Sequence, residues 1–230
     1  MSTRKFSIGA ENESSLHRSL KIHCSGSEGS IETTVGNYVC DGLTSGGEII
    51  EVQTGSFGPL KEKLNYLVQT GKVRVIYPIV TQKEIELFDS YGSLLHKRKS
   101  PRRGSAWDLF KALIYAPELG SLKNLTIELA FIDILEKRVD DGKGSWRRKG
   151  VSITDRFLGA WHNSIVLSKR KDYLQFIPFK KSECFTARLL AKKAKINVSI
   201  ARKTLYVLVK MVLLEKTGTQ GKALTYRLKQ

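Results

Sequence analysis

Cysteine is scarce in this sequence. Cys24, Cys40 and Cys184 are odd in number, far apart and free of C-x-x-C spacing, which argues against a disulfide framework or a zinc knuckle and fits a reducing compartment. Long apolar stretches are missing too. Residues 1–10 carry no apolar core of a signal peptide, and the longest apolar run, residues 205–214, is broken by Lys210, so a cytoplasmic chain with no membrane partner is expected. There is no internal repeat and no low-complexity tract. Acidic residues are the third shortage, and this one is regional. Residues 1–80 hold eight Lys/Arg against eight Asp/Glu, residues 81–181 twenty against twelve, and residues 182–230 eleven against two. The net charge of +17 thus belongs to the middle and the end, and such a field favours a polyanion, either nucleic acid or an anionic membrane face.

With 41% hydrophobic and 27% charged residues the chain can bury an ordinary core, and its element pattern predicts an α/β (α+β) fold. The spacing predicts a helix over 11–24, with Leu16 and Leu20 as an apolar step and Glu13, His17 and Lys21 on a neighbouring polar stripe at i, i+4, i+8. Residues 31–41 alternate like a strand, 42–47 form a Gly/Ser/Thr turn, and 48–54 read as a short strand. A helix over 60–70 and a strand over 72–80 follow. In the middle, a basic loop over 96–104 precedes a helix over 105–115, whose Ser105 and Asp108 have capping-box spacing. Residues 126–139 read as a long strand, 140–150 as a second basic loop, and 151–178 as mixed. Towards the end, Thr186 and Asn197 or Ser199 cap two helices reaching about Ala194 and Val212. Two strands, 213–217 and 223–228, then flank a turn, giving the order of a winged helix-turn-helix.

Chemistry concentrates on Asp41, Glu51 and Gln53, with Glu13 behind them. Period two puts Glu51 and Gln53 on one strand face, and the hairpin brings Asp41 to the same edge. Hard divalent cations such as Mg²⁺ or Mn²⁺ take one or two carboxylates together with water and phosphate oxygens, so this pair makes a phosphodiester-cleaving metal site possible. The histidines His17, His23, His96 and His162 show no metal spacing, and only His17, one turn from Glu13, merits attention.

Helical Glu13, then Asp41, then Glu51-Val52-Gln53, then a helix carrying Lys61 and Lys63, resembles the PD-(D/E)XK nuclease superfamily over roughly the first eighty residues. The resemblance implies a restriction-endonuclease-like mixed sheet with flanking helices. It assigns metal-ligand roles to Asp41 and Glu51, a supporting role to Glu13, and to Gln53 the place of the superfamily's lysine, where some members also carry Gln. A carboxamide brings no positive charge, so Lys61, Lys63 or Lys21 would supply the cation. The whole layout, with its KSPRRG and GSWRRKG segments, also resembles an uncharacterised bacterial family.

Lys97-Arg98-Lys99 with Arg102 and Arg103, and Trp146-Arg147-Arg148-Lys149 between Gly144 and Gly150, put dense cationic charge where a phosphate chain can be followed, and Trp146 can stack on a base. In the last helix, Ala201, Leu205, Leu208 and Val212 form the expected core stripe. Ser199, Arg202, Lys203, Tyr206 and Lys210 face outward as on a recognition helix, with Lys216, Lys222 and Arg227 on the wing. The expected domains are a nuclease-like domain over 1–81, a basic mixed region over 82–181 and a winged helix over 182–230. The favoured expectation is a divalent-metal-dependent DNA endonuclease or related phosphodiesterase acting on duplex or branched DNA, in a layout that allows a homodimer. The competing one is a non-catalytic, regulatory DNA-binding protein with a degenerate nuclease-like domain.

Overall fold

A computed structural model of the chain describes residues 13–229; Glu11, where the first helix is expected to begin, lies outside them. The first element, α1 (Ser15–Ser25), starts where the Ser14 hydroxyl accepts the His17 N–H and ends at Gly26, whose φ of +77° suits glycine. Three strands follow: β1 (Ser30–Val35), β2 (Tyr38–Leu43) and β3 (Ile49–Val52). The single strand expected over 31–41 is therefore two, reversed at Gly36-Asn37 with φ +57° at Gly36. A two-residue Gly-Asn turn matches the strand twist that a hairpin needs.

Next come α2 (Lys61–Thr70), β4 (Val73–Phe88) and β5 (Leu94–Lys99). The basic loop expected over 96–104 is thus a strand over its first half. Every residue of β5 is exposed, and a strand with no buried face gives no apolar alternation to read. The Ser105/Asp108 capping box is present, at the head of a short 3-10 turn that leads into α3 (Leu109–Leu113). Two long strands, β6 (Leu125–Asp140) and β7 (Val151–Leu167), bracket a tight turn, and the chain ends with β8 (Phe185–Thr186), α4 (Ala187–Ala194), α5 (Val198–Lys210), β9 (Leu214–Gln220) and β10 (Ala223–Leu228). The result is a mixed α+β fold. A seven-stranded sheet runs β1-β2-β3-β4-β6-β7 with β5 beside β4, and a three-stranded sheet runs β8-β10-β9. Among the described residues no helix is long and apolar enough to cross a membrane.

Two compact units divide the chain, and both draw on β4, β6 and β7. The first takes residues up to Val52 with Pro78–Gly104 and Ala130–Asn163; the second takes Gln53–Tyr77, Ser105–Leu129 and Ser164 onward. In the first, Leu16 and Leu20 of α1 and Ile50, Ile79 and Ile132 of the sheet are buried. In the second, Leu64 and Leu67 of α2 and Leu205 and Leu208 of α5 are buried, and Phe176 packs edge-on against Phe110 and Trp107 at 4.9 and 5.2 Å.

One charge cluster ties three strands of the first unit. The Glu136 side chain on β6 is 1% exposed and contacts Lys83 of β4 at 3.2 Å, Arg138 of β6 at 2.5 Å and Arg156 of β7 at 2.9 Å. Burial pushes this carboxyl up, but hydrogen bonds from Arg156 and Arg138 and the charges of Lys83 and Arg138 outweigh it and bring it down to about 2. A carboxyl lowered in this way adds stability above its ordinary value near 4.3, and that stability is lost as the pH falls towards about 2. Glu136→Gln should remove it at neutral pH, leaving three cations around a neutral amide. The expected loss is about 3 kcal/mol in urea unfolding at pH 7, the low end for a broken buried pair because Lys83 and Arg156 reach solvent, and it should shrink by pH 2.

Candidate functional site

The polar stripe of α1 meets the end of β2. Lys21 is almost completely buried, and its ammonium sits 2.7 Å from Glu13 Oε1, 3.2 Å from Asp41 Oδ1 and 3.4 Å from Glu32. His17 Nε2 lies 3.4 Å from Asp41 Oδ2 and its Nδ1 3.5 Å from Glu13 Oε1. The Val52 N–H donates to Asp41 Oδ2 at 2.7 Å. Burial pushes the Asp41 carboxyl up, yet hydrogen bonds from His17 and Val52, with the charges of His17 and Lys21, hold it below the usual carboxylate range. For Lys21, burial works against the charge, and the hydrogen bonds and charges of Glu13 and Asp41 still raise its pKa.

Glu51 stands near this group through strand register. The ladder pairs Leu43 with Ile49 and Gly42 with Ile50, and one further step sets Asp41 opposite Glu51, which is 2% exposed. The structure therefore gathers Glu13, His17, Lys21 and Asp41. The cation at Asp41 comes from the first helix, and neither of the lysines of α2 is needed to explain its pairing. Gln53 and Lys63 belong to the second unit. The Gln53 side-chain amide donates to the Ser56 carbonyl in the turn after β3, Lys63 is half-buried in the first turn of α2, and Lys61 pairs with Glu118.

These residues do not fit a resident Mg²⁺ or Mn²⁺ as they are placed. Asp41 Oδ1 faces an ammonium, Oδ2 already accepts a backbone N–H, and among the described residues no three His, Cys, Asp or Glu side chains are grouped to hold a metal ion. What the arrangement does is keep one lysine and one carboxylate charged where water is scarce.

The second candidate site is at the C-terminal end. Thr186 caps α4 by accepting the Leu189 N–H at 3.3 Å, and Asn197 caps α5 by accepting the Ser199 N–H at 2.7 Å. Lys195, at φ +53°, closes α4 and turns the chain into α5. The expected order of helix, turn, helix and hairpin is present, with β8 added on β10 through Thr186 and Thr225. On α5 the buried side is Ala201, Thr204, Leu205, Val207 and Leu208, while Ser199, Arg202, Tyr206 and Lys210 are exposed along one stripe and Lys203 is half-buried. Val212 is a correction: it lies beyond the helix at φ +59°, 47% exposed, not in the core stripe. A groove of about 410 Å³ opens where α4, α5 and the hairpin meet, lined by Arg188, Arg202, Gln220, Lys222 and Tyr226. Arg188 carried no signal in the sequence; only the fold brings it beside Arg202. Arg227, by contrast, is tied to Glu215 at 2.6 Å.

The remaining basic residues fall into two sets, Arg102 and Arg103 in one and Arg98 with Arg147, Arg148 and Lys149 around a second groove in the other. Arg98 lies on β5, Arg102 and Arg103 are exposed beyond it, and Arg103 reaches back to the Thr81 carbonyl. Trp146, Arg147 and Arg148 form a 3-10 turn ended by Lys149 at φ +52°.

Fold and sites together define a mixed α+β protein whose C-terminal end carries two short helices and a hairpin with a basic surface. Residues 14–168 match the family model described as "Domain of unknown function (DUF8091)", and the chain belongs to that family. Over 185 residues it is 31% identical to an uncharacterized protein of Treponema pallidum (strain Nichols), covering 80% of this chain and 74% of that one. No solved structure matches it. The family match stops at the end of β7, so α4, α5 and the hairpin fall outside it.

Lys21→Met should leave Asp41 as a poorly solvated carboxylate without its ammonium and destabilise the chain by about 3 kcal/mol in urea unfolding at pH 7. Because Asp41 then titrates higher, most of that loss should disappear when the pH is brought below 4, and Asp41→Asn in the same background should recover part of it at pH 7.

Proposed function

We propose that the chain is a duplex-DNA-binding protein whose C-terminal unit acts as a winged helix, with α5 as recognition helix and β9–β10 as wing. One observation carries this reading: Arg188, Arg202 and Lys222, from α4, α5 and the hairpin, line a single groove, beside the exposed stripe of Ser199, Arg202, Tyr206 and Lys210. A helix end rich in donors suits base edges in the major groove, and a basic hairpin beside it suits flanking phosphates. The regional charge of eleven cations against two acids supports phosphate neutralisation as the main source of affinity. Arg202→Ala with Lys203→Ala should weaken binding to a duplex by at least tenfold and lower the slope of log K against log salt by about 1 to 2. An unchanged slope in fluorescence anisotropy would contradict the assignment.

Phosphodiester cleavage is the second reading, favoured by the register that sets Asp41 opposite Glu51 with the Lys21 ammonium beside them. Incubation of supercoiled plasmid with Mg²⁺ or Mn²⁺ separates the two. Binding without nicking is the expected result, since Lys21 already neutralises Asp41. Nicking that Asp41→Ala abolishes would replace it with a metal-dependent endonuclease in the manner of the PD-(D/E)XK superfamily.

A further inference from the structure

The first unit contains a second basic groove, of about 290 Å³, built on different principles from the one at the C-terminal end. Its lining includes Ile85 and Leu87 of β4, His96 and Arg98 of β5, and Arg138 of β6; the turn before β7 adds Arg147, Arg148 and Lys149. Register explains the combination. Arg98 pairs with Ile85 and His96 with Leu87 across the β4–β5 ladder, so an apolar residue and a basic one lie side by side on one face. The alternate residue Lys97 pairs with Glu84 and Glu86 at 2.6 and 3.3 Å. Its charge is therefore occupied. Among the described residues Arg98, Arg147 and Lys149 take part in no ion pair.

The opposite wall is a rigid turn. Gly144 donates its N–H to the Gly150 carbonyl at 2.7 Å, and a Cβ on Gly144 would lie 1.9 Å from the Val151 carbonyl oxygen, so only glycine lets the two ends approach. Arg148 Nε donates to that same carbonyl at 3.0 Å, and Arg138 is held through Nε and Nη2 on Glu136. Two guanidiniums are thus fixed in orientation before any ligand arrives. At the crest of the turn Trp146 is 83% exposed, with the Arg147 guanidinium 5.6 Å from its ring centre.

We infer that this groove binds an unpaired stretch of nucleic acid, with phosphates on Arg98, Arg148 and Lys149 and a base stacked on Trp146. The exposed indole of Trp146 decides between single strand and duplex. A duplex offers a protein its phosphates and base edges, whereas the faces of its bases are covered by their neighbours. An exposed indole beside half-buried Leu87 and Val151 finds a complement where bases are unstacked, and stacking on aromatic side chains between basic walls is how sequence-tolerant single-strand sites work. This site extends the nucleic-acid reading of the C-terminal unit without depending on it.

Fluorescence anisotropy of the full chain, with labelled oligo(dT), oligo(U), an abasic strand of equal length and a blunt hairpin duplex, tests the proposal. Arg98→Ala with Lys149→Ala should weaken oligo(dT) or oligo(U) binding by about tenfold and duplex binding by less than twofold. Trp146→Ala should weaken strand binding several-fold, Trp146→Phe should restore it, and neither should alter binding of the abasic strand. The tighter of oligo(dT) and oligo(U) identifies the natural strand. Equal affinity of wild type for the abasic and base-bearing strands would overturn the proposal, as would variants that hold oligo(dT) like wild type. Arg202→Ala with Lys203→Ala keeps the two readings apart: duplex binding should fall while oligo(dT) binding holds, duplex binding kept at the wild-type level removes only the winged-helix assignment, and oligo(dT) binding lost with it removes only this site.

Discussion

The buried carboxylate of Glu136 is the interaction on which the rest of the first unit depends. Taking a carboxylate out of water costs several kcal/mol, and only close, well-formed partners offset it. Glu136 has three, one from each of β4, β6 and β7, and those strands pass through both units. The same contact fixes the direction of Arg138 and so prepares one wall of the basic groove. An ion cluster that serves the sheet therefore also fixes a side chain in the lining of that groove.

The Asp41 group follows the same rule on a smaller scale. Lys21 and Asp41 each favour the charged form of the other, because each would be poorly solvated alone. The stripe of Glu13, His17 and Lys21 was legible in the sequence as a period-four pattern, although α1 carries only His17 and Lys21 and Glu13 precedes its cap, and the convergence of Asp41 and Glu51 followed from the short hairpin. What the spacing could not reveal was that the stripe turns onto Asp41 and supplies its cation. Gln53, placed beside Glu51 by strand alternation, spends its amide on the Ser56 carbonyl where the strand ends, and alternation says nothing about a side chain once the strand has stopped.

Other readings failed where a local signal was overwhelmed. The Gly36-Asn37 turn was hidden because apolar alternation continues on both sides of it. β5 was hidden by its own charge, since an exposed edge strand is commonly protected by lysine and arginine and so resembles a loop. Most of β7 was hidden because few of its residues are buried and Gly159 interrupts the pattern; a Cβ there would meet the Asp133 carbonyl oxygen at 3.2 Å, so the glycine reflects close packing against β6 and not a loop. The helical caps at Ser105, Thr186 and Asn197, whose hydrogen bonds are local, were read correctly for the same reason that long-range pairings were not.

Net charge alone treats every cation in this chain as available to a polyanion, and the fold shows that it is not. Lys21, Lys61, Lys83, Lys97, Arg156 and Arg227 are bound to carboxylates, and their electrostatic reach is correspondingly reduced. Some of the cations left for a ligand line two grooves of different character. At the C-terminal end they surround a groove with Gln220 and Tyr226 in its lining, suited to phosphates and base edges. On β5 and the turn before β7 they stand around half-buried Leu87 and Val151 and beside the exposed Trp146 ring, apolar surface that gains nothing from phosphates. A nucleic acid offers apolar faces when its bases are unpaired, so the difference between the two linings, more than the amount of charge, is what the separate proposals of a duplex site and an unpaired-strand site rest on.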